Sequence, residues 1–197
     1  MGYLRGFVPW IVFAALSDAD WRWAAVAALA TGLGLLALDR RSGIAAEALV
    51  LDLSTIGYFC LLTALSFAFP DSWLGDWSGV VSMAWLGLTA WGTLALGRPF
   101  TLGVAKRQTP PEVWDRPEFF RVNVLISAAW ALAFTLIGAV LAACEVTGAP
   151  AATGITAHLV GLGAAITFTS RYPARVRARA RAAAAAGPVP GGEPRAR

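Results

Sequence analysis

The sequence carries little charge for its length. Only 14% of its 197 residues are Asp, Glu, Lys or Arg, and 57% are hydrophobic, whereas soluble domains have about 25% charged residues. A soluble fold of this size could not bury so much apolar surface. The apolar residues come in long runs separated by short charged segments, a pattern typical of a polytopic membrane protein.

Residues that bind metals and cofactors are also scarce. The chain has one histidine, His158, and two cysteines, Cys60 and Cys144. A single histidine excludes bis-histidine haem ligation, and no Cys, His, Asp or Glu cluster has the spacing of a zinc site. No lysine lies in an apolar run, which excludes a retinal Schiff base. We expect no cofactor and interpret both cysteines as small buried hydrophobic residues too different in depth to form a disulfide.

Enzymatic motifs are missing as well. There is no Walker loop or dinucleotide fingerprint, and no Ser, Cys or Thr has a base at motif spacing, so we do not favour an enzyme. Small residues are instead frequent where helices would cross, which permits close backbone approach. These glycines are Gly32, Gly34, Gly87, Gly92, Gly161 and Gly163.

Six apolar segments predict an all-α transmembrane bundle of five or six spans within residues 1–172. The first segment is short and contains Pro9, which favours a tilted or half-inserted helix. The segments lie at about residues 3–16, 21–38, 44–69, 78–97, 119–146 and 151–169.

Capping residues precede several of these segments. Asp18 and Asp20 can cap the second helix, and Asp76 or Ser78 the fourth. In the long connection at 98–118, the sequence from Thr109 through Pro110 and Pro111 to Glu112 matches a capping box with proline in the first turn. It predicts a short surface helix whose Val113 and Trp114 contact the headgroup region.

The distribution of basic residues predicts the orientation. Fifteen of the sixteen fall on one side when the segments alternate, and Arg22 alone falls on the other. By the positive-inside rule the basic side, with the C-terminus, is cytoplasmic. The opposite side collects acidic residues and an aromatic belt: Asp18, Asp20, Asp71, Asp76, Glu145, Trp21, Trp23, Trp73 and Trp77. If the first segment does not cross, five spans remain and the N-terminus lies outside.

The C-terminal residues 173–197 predict a basic, flexible cytoplasmic tail, because an Arg/Ala run and a Gly/Pro segment cannot bury enough surface to order themselves. The tail either binds anionic lipid headgroups or serves only as a topology anchor; we expect no nucleic acid. With Trp114, its candidate lipid-contacting residues are Arg175, Arg177, Arg179 and Arg181.

Two carboxylates in the third segment need an explanation, because a charge within a span costs about 2.5 to 3.5 kcal/mol. Glu47 lies close enough to the cytoplasmic interface to reach water. Asp52 lies about 12 Å deeper than the start of the segment and must find a partner or take up a proton. Basic and amide side chains on the same side could compensate them, which defines a candidate polar cluster: Glu47, Asp52, Arg98, Arg121 and Asn123. Three roles are open for it: an ion-pair network that fixes helix register, proton or solute handling, and lipid-headgroup binding.

His158 lies within the sixth segment. It could relay protons, or it could form a structural hydrogen bond to a neighbouring helix. We favour the structural role.

Several short motifs occur in order along the chain. Arg98 and Pro99 close one span, residues 111–114 read Pro-Glu-Val-Trp, and Trp130 and Ala131 lie in the next span. Together with the Phe7-Val8-Pro9 sequence and the alanine-rich second helix, these motifs resemble the bacterial intracellular septation protein A family. The resemblance covers most of the chain to about residue 169. It implies an inner-membrane protein of about five spans linked to septation and envelope maintenance, without catalytic residues to assign.

The sequence therefore predicts, first, a non-enzymatic inner-membrane protein of envelope maintenance or cell division that acts through lipid and protein contacts. The protein contacts could involve a membrane-protein partner or a second copy of the chain. The competing class is a small transporter or channel that uses Asp52 and its neighbours, and a third class is an enzyme that acts on lipid.

Overall fold

The computed structural model describes residues 5–41 and 50–185. Within these ranges the chain is entirely helical, and four helices are long and apolar enough to cross a membrane, which indicates a membrane protein. Seven α-helices and one 3₁₀ turn follow one another: α1 (Val8–Leu16), α2 (Trp21–Arg41), α3 (Val50–Ala68), α4 (Ser78–Ala95), α5 (Thr101–Arg107), the 3₁₀ turn (Pro111–Val113), α6 (Pro117–Thr147) and α7 (Ala151–Ala185). The four long apolar helices are α2, α3, α6 and α7.

Helix ends follow local chemistry, with three corrections to the sequence predictions. Asp20 caps α2 as expected, since its carboxylate accepts the Arg22 N–H at 2.9 Å. The prediction that Asp76 or Ser78 caps the fourth helix was wrong, because Trp77 is the N-cap of α4 and its side chain forms no capping hydrogen bond. The predicted capping box does not form, because the Thr109 hydroxyl donates to the Ala105 carbonyl at 2.8 Å. A short helix with proline in its first turn does follow, as the 3₁₀ turn Pro111–Val113.

Glycine ends α4. Gly97 adopts φ +65°, and its N–H bonds to the Leu94 carbonyl while the Arg98 N–H bonds to the Thr93 carbonyl. This pair of bonds is a Schellman motif, which needs a left-handed residue that glycine supplies without steric cost. The chain then turns into α5, a helix that the sequence analysis missed.

The third correction concerns the tail. Residues 173–185, expected to be flexible, continue α7 through Pro173. Alanine and arginine are both strong helix formers, and together they outweigh one proline. Residues 186–197 lie outside the described residues.

Neighbouring helices run antiparallel, as their side-chain contacts show. In α2 and α3, Trp23 pairs with Phe67 and Gly32 faces Ile56. In α4 and α6, Gly79 faces Leu141 and Gly87 faces Thr135. The other pairs follow the same rule: Ser54 with Thr89 and Tyr58 with Ser82 between α3 and α4, Gly154 with Leu141 and Trp130 with Thr169 between α6 and α7.

This alternation sorts the connections to two ends of the bundle. We call one the basic end; it holds Arg5, Arg40, Arg41, the 98–116 connection and the C-terminal part of α7. The opposite, acidic end holds residues 17–20, 70–77 and 148–150, where Gly75 lies against the Trp21 indole. The four tryptophans of the expected aromatic belt lie at this end or in the adjoining helical turn.

Aromatic rings fill the core between α1, α3, α4 and α6. Trp10 stacks on Tyr58 at a centroid distance of 4.9 Å, and Phe7 stacks on Trp130 at 4.9 Å. Phe59 is fully buried among the rings of Trp10, Phe13 and Tyr58. The short α1 is therefore a central packing element.

Candidate functional site

The predicted polar cluster is not assembled as the sequence suggested. Arg98 and Arg121 are both exposed and form no ion pair with any residue that the structure describes. Asp52 is half-buried and lies near the segment that precedes α1: a Cβ added to Gly6 would lie 3.7 Å from its Oδ1. Within the described residues, no ion pair joins Asp52 to Arg98 or Arg121. Glu47 lies outside the described residues.

Asn123 belongs to a different group of polar residues. It is 1% exposed, and its Nδ2 donates to the Phe119 carbonyl at 2.9 Å. The backbone carbonyl of Asn123 accepts a bond from the Thr101 hydroxyl at 3.1 Å. The Ser127 hydroxyl lies 2.8 Å from that of Thr101. These bonds fasten the start of α5 to α6, and they give Asn123 a structural role.

The sequence analysis missed an ion pair that has one buried and one exposed member. Arg5 Nη1 lies 2.9 Å from Asp39 Oδ1, with side chains 46% and 5% exposed. Asp39 ends α2 beside its two arginines, which made it look like a solvated turn residue in the sequence. The available signal was that Arg5 and Asp39 fall on the same predicted side at the ends of adjacent segments. With Asp52 near Gly6, this pair brings two carboxylates to the short segment that precedes α1.

Hydroxyl and indole groups bond across the helix boundaries. Trp10 Nε1 donates to Thr55 at 3.0 Å, and Trp85 Nε1 donates to Ser54 at 3.0 Å. Ser54 also shares a 2.7 Å bond with Thr89, while Tyr58 shares a 2.8 Å bond with Ser82. Burial makes each such bond expensive to lose, so these groups hold α1, α3 and α4 together.

The remaining singled-out residues are bonded locally or exposed. His158 is half-buried, and its Nδ1 donates to the Gly154 carbonyl of its own helix at 2.9 Å. Trp114 donates its indole N–H to the Thr109 carbonyl at 3.1 Å, with Lys106 Nζ 5.3 Å from the ring centroid. The arginines at 175, 177, 179 and 181 are exposed.

The cysteine prediction needs one correction. Both thiols are free, but Cys60 is exposed on the outside of α3 and Cys144 is half-buried. The helical rotation of α3 turns Cys60 away from its neighbours, which length and hydropathy alone do not reveal. Within the described part of the chain, no three His, Cys, Asp or Glu side chains gather closely enough to hold a metal.

Open cavities on the surface of the described bundle include the following two. One, about 480 Å³, is formed by residues 68–72 at the acidic end. The other, about 400 Å³, is an apolar groove between α4 and α6. Neither contains any residue of the predicted polar cluster.

The chain matches no protein-family model, no curated protein and no solved structure. The resemblance to the septation protein A family therefore stays a prediction from the sequence.

Proposed function

We propose that this protein is a non-enzymatic inner-membrane protein of envelope maintenance or cell division that acts through lipid and protein contacts. The observation that carries the proposal is the interior of the bundle. Stacked rings and paired hydroxyls occupy the space between α1, α3, α4 and α6, as expected of a packed scaffold. The link to the envelope and to division rests on the sequence resemblance.

The proposed orientation places the basic end in the cytoplasm. The positive-inside rule supports it, because basic residues from four separate parts of the chain lie at that end.

For the span count we favour six. The α1 helix alone, at nine residues, is about 14 Å long. Its flanks extend it, however, because Arg5 pairs with Asp39 at the basic end and residues 17–20 lie at the acidic end.

Lipid contact at the basic end is part of the proposal. The exposed arginines of α7 carry no acidic neighbour between Ala151 and Ala185, and each basic residue near an anionic surface contributes about 1 kcal/mol. The ordered helix there gives these side chains a fixed spacing along the protein surface.

Depletion in the bacterium of origin tests the proposed function. We expect irregular septum spacing, longer cells and greater detergent sensitivity, measured by microscopy and survival. Rescue by the Asp52→Asn chain as well as the natural chain would match a scaffold. Normal septa and a normal envelope after depletion would exclude the proposed role.

The second candidate is a small transporter or channel, and Asp39 and Asp52 near the basic end favour it. Proteoliposomes loaded with a pH-sensitive dye would reveal proton or solute-coupled flux. A transporter predicts flux that Asp52→Asn abolishes without loss of folding. A scaffold predicts dye traces equal to those of empty liposomes.

A further inference from the structure

Helix α7 is the least covered of the four long apolar helices. In its apolar stretch 6% of the residues are buried, compared with 22% to 39% in the other three. Gly154, Gly161 and Thr169 face α6, and Thr169 accepts the indole N–H of Trp130. The opposite side of α7 is exposed. That side is therefore open to lipid or to another protein.

The exposed side of α7 has a row of small residues along it. Thr156, Gly163 and Ser170 follow one another at intervals of seven residues, so they share one helix face, which we call the outer face. All three are exposed, and no atom lies within 4 Å of a Cβ added to Gly163. The larger side chains of exposed Ile155 and Val160 flank this row on its two sides. A shallow groove of this kind lets a second helix approach closely.

Two arginines continue the outer face beyond the span. Arg177 is the next residue in the series of seven, and Arg181 lies one turn further on. Both are exposed, and neither forms an ion pair with a residue that the structure describes. Arg177 lies about 39 Å along the helix from Ala151, beyond the ~30 Å hydrocarbon core. The groove therefore leads to a pair of positive charges, which the proposed orientation places in the cytoplasm.

This combination of groove and charge distinguishes between the possible occupants. A second copy of the chain would lie parallel in the membrane and would bring its own Arg177 and Arg181 to the same place. Like charges that face each other across an interface oppose association. Small residues favour a neighbouring helix over acyl chains, because they permit close backbone contact. An acidic segment on that helix would complement the two arginines.

We propose that the outer face of α7 docks one transmembrane helix of another membrane protein, whose acidic cytoplasmic flank pairs with Arg177 and Arg181. Arg175 and Arg179 lie on the other side of α7 by helical periodicity and stay free for lipid headgroups. The inference rests on the protein contacts of the proposed function and names the chemistry of the partner.

Photo-crosslinking in the living bacterium of origin tests the docking surface. A photoreactive amino acid would replace Thr156 or Ser170 in the full chain, and Leu33, exposed on α2, gives the control position. We expect one discrete heavier product from the two outer-face positions and none from Leu33. Peptide mass spectrometry of the product should identify a transmembrane helix with Asp or Glu in its cytoplasmic flank.

A pair of bulk variants tests the groove. Gly163→Leu fills it and should lower the yield of the crosslinked product about tenfold, because the two backbones can no longer approach closely. Ala164→Leu adds bulk at the adjoining exposed position, a quarter-turn away from the outer face, and should retain the product. Thermal unfolding verifies that both variants fold.

Two pairs of charge reversals test the arginines. Arg177→Glu with Arg181→Glu should lower the yield about tenfold, because the acidic flank of the partner would then meet like charges. Arg175→Glu with Arg179→Glu makes the same change in net charge on the other side of α7 and should retain the product. Reversal of the acidic residues in the identified partner should restore the product of the first pair.

Several results would overturn the proposal. An absence of product, or lipid adducts alone at Thr156 and Ser170, would leave the outer face to lipid. A product of twice the mass of the chain would assign it to a second copy. A partner helix without an acidic flank, or equal losses in the two charge-reversal pairs, would remove the role of Arg177 and Arg181. None of these results depends on the depletion phenotype, so the docking surface and the proposed function can fail separately.

Discussion

The two halves of the molecule hold their helices together in different ways. The N-terminal half, α1 to α3, packs large rings against one another around fully buried Phe59. The C-terminal half, α4 to α7, packs glycine against aliphatic side chains: Cβ atoms added to Gly154 and Gly161 would lie 2.9 and 2.7 Å from Leu141 and Ile137. Lipid removes the hydrophobic drive between helices, so both halves depend on close packing.

The difference teaches which changes each half tolerates. An interface packed by rings is destabilised most when a side chain is truncated, because a cavity remains. An interface packed by glycine is destabilised most when atoms are added, because the two backbones cannot move apart without losing their contacts. Substitutions can therefore test the comparison directly.

The largest expected effect is in the ring-packed half. Phe59→Ala should lower the free energy of unfolding by about 3 to 5 kcal/mol, because it deletes a fully buried ring. Thermal unfolding in detergent measures this loss of stability. Phe67→Ala, on the same helix but 50% exposed, is the control and should cost much less. Equal losses for the two would contradict the assigned core.

Removing the Arg5–Asp39 ion pair should give the second-largest loss of stability. Arg5→Met should cost about 2 to 3 kcal/mol, below the 3 to 5 kcal/mol of fully buried pairs because Arg5 is 46% exposed. The double variant Arg5→Met with Asp39→Leu should recover much of the loss. Arg40→Met serves as the exposed control. If Arg5→Met behaves like Arg40→Met, α1 is not anchored by this pair.

The glycine-packed half should respond to added bulk. Gly161→Leu is expected to cost about 1 to 3 kcal/mol by overpacking against Ile137. Gly163→Leu, two residues away, meets no atom within 4 Å and should be near neutral. A neutral Gly161→Leu would remove the contrast between the halves.

The smallest effect concerns the turn that joins α1 to α2. A side-chain hydrogen bond from Arg22 lowers the pKa of Asp20 below its ordinary 3.8. The stability that this bond contributes is therefore fully present above pH 3.8 and is lost as the pH falls through the lowered native pKa. Asp20→Asn keeps a cap acceptor but has no charge to titrate. Unfolding curves of the two proteins should converge in acid and separate at neutral pH.

The long helices were predictable, but the pairing of side chains across them was not. Apolar runs predict α2, α3, α6 and much of α7, because a helix that crosses the hydrocarbon core needs about 20 mostly apolar residues. Whether Asp52 meets Arg98 depends on the rotation of two helices about their axes, which hydropathy does not determine. The packing of α1 by its rings likewise follows from tertiary contacts.

Short elements and helix ends were harder to predict from the sequence. α5 has only seven residues. Hydrogen bonds from Thr101 to Asn123 and Ser127 hold it in place, and it has no periodic apolar pattern. The continuation of α7 past Pro173 depends on a balance between one strong helix breaker and many helix formers. Composition indicated disorder there because a basic segment has little apolar surface of its own.

The location of the basic end is the central claim, and reporter fusions test it most directly. Fusions after Arg41, Lys106 and Arg181 should report the cytoplasm, and those after Asp76 and Gly148 the outside. A cytoplasmic signal at Asp76 would contradict the account, because it would put both ends of the bundle on one side of the membrane.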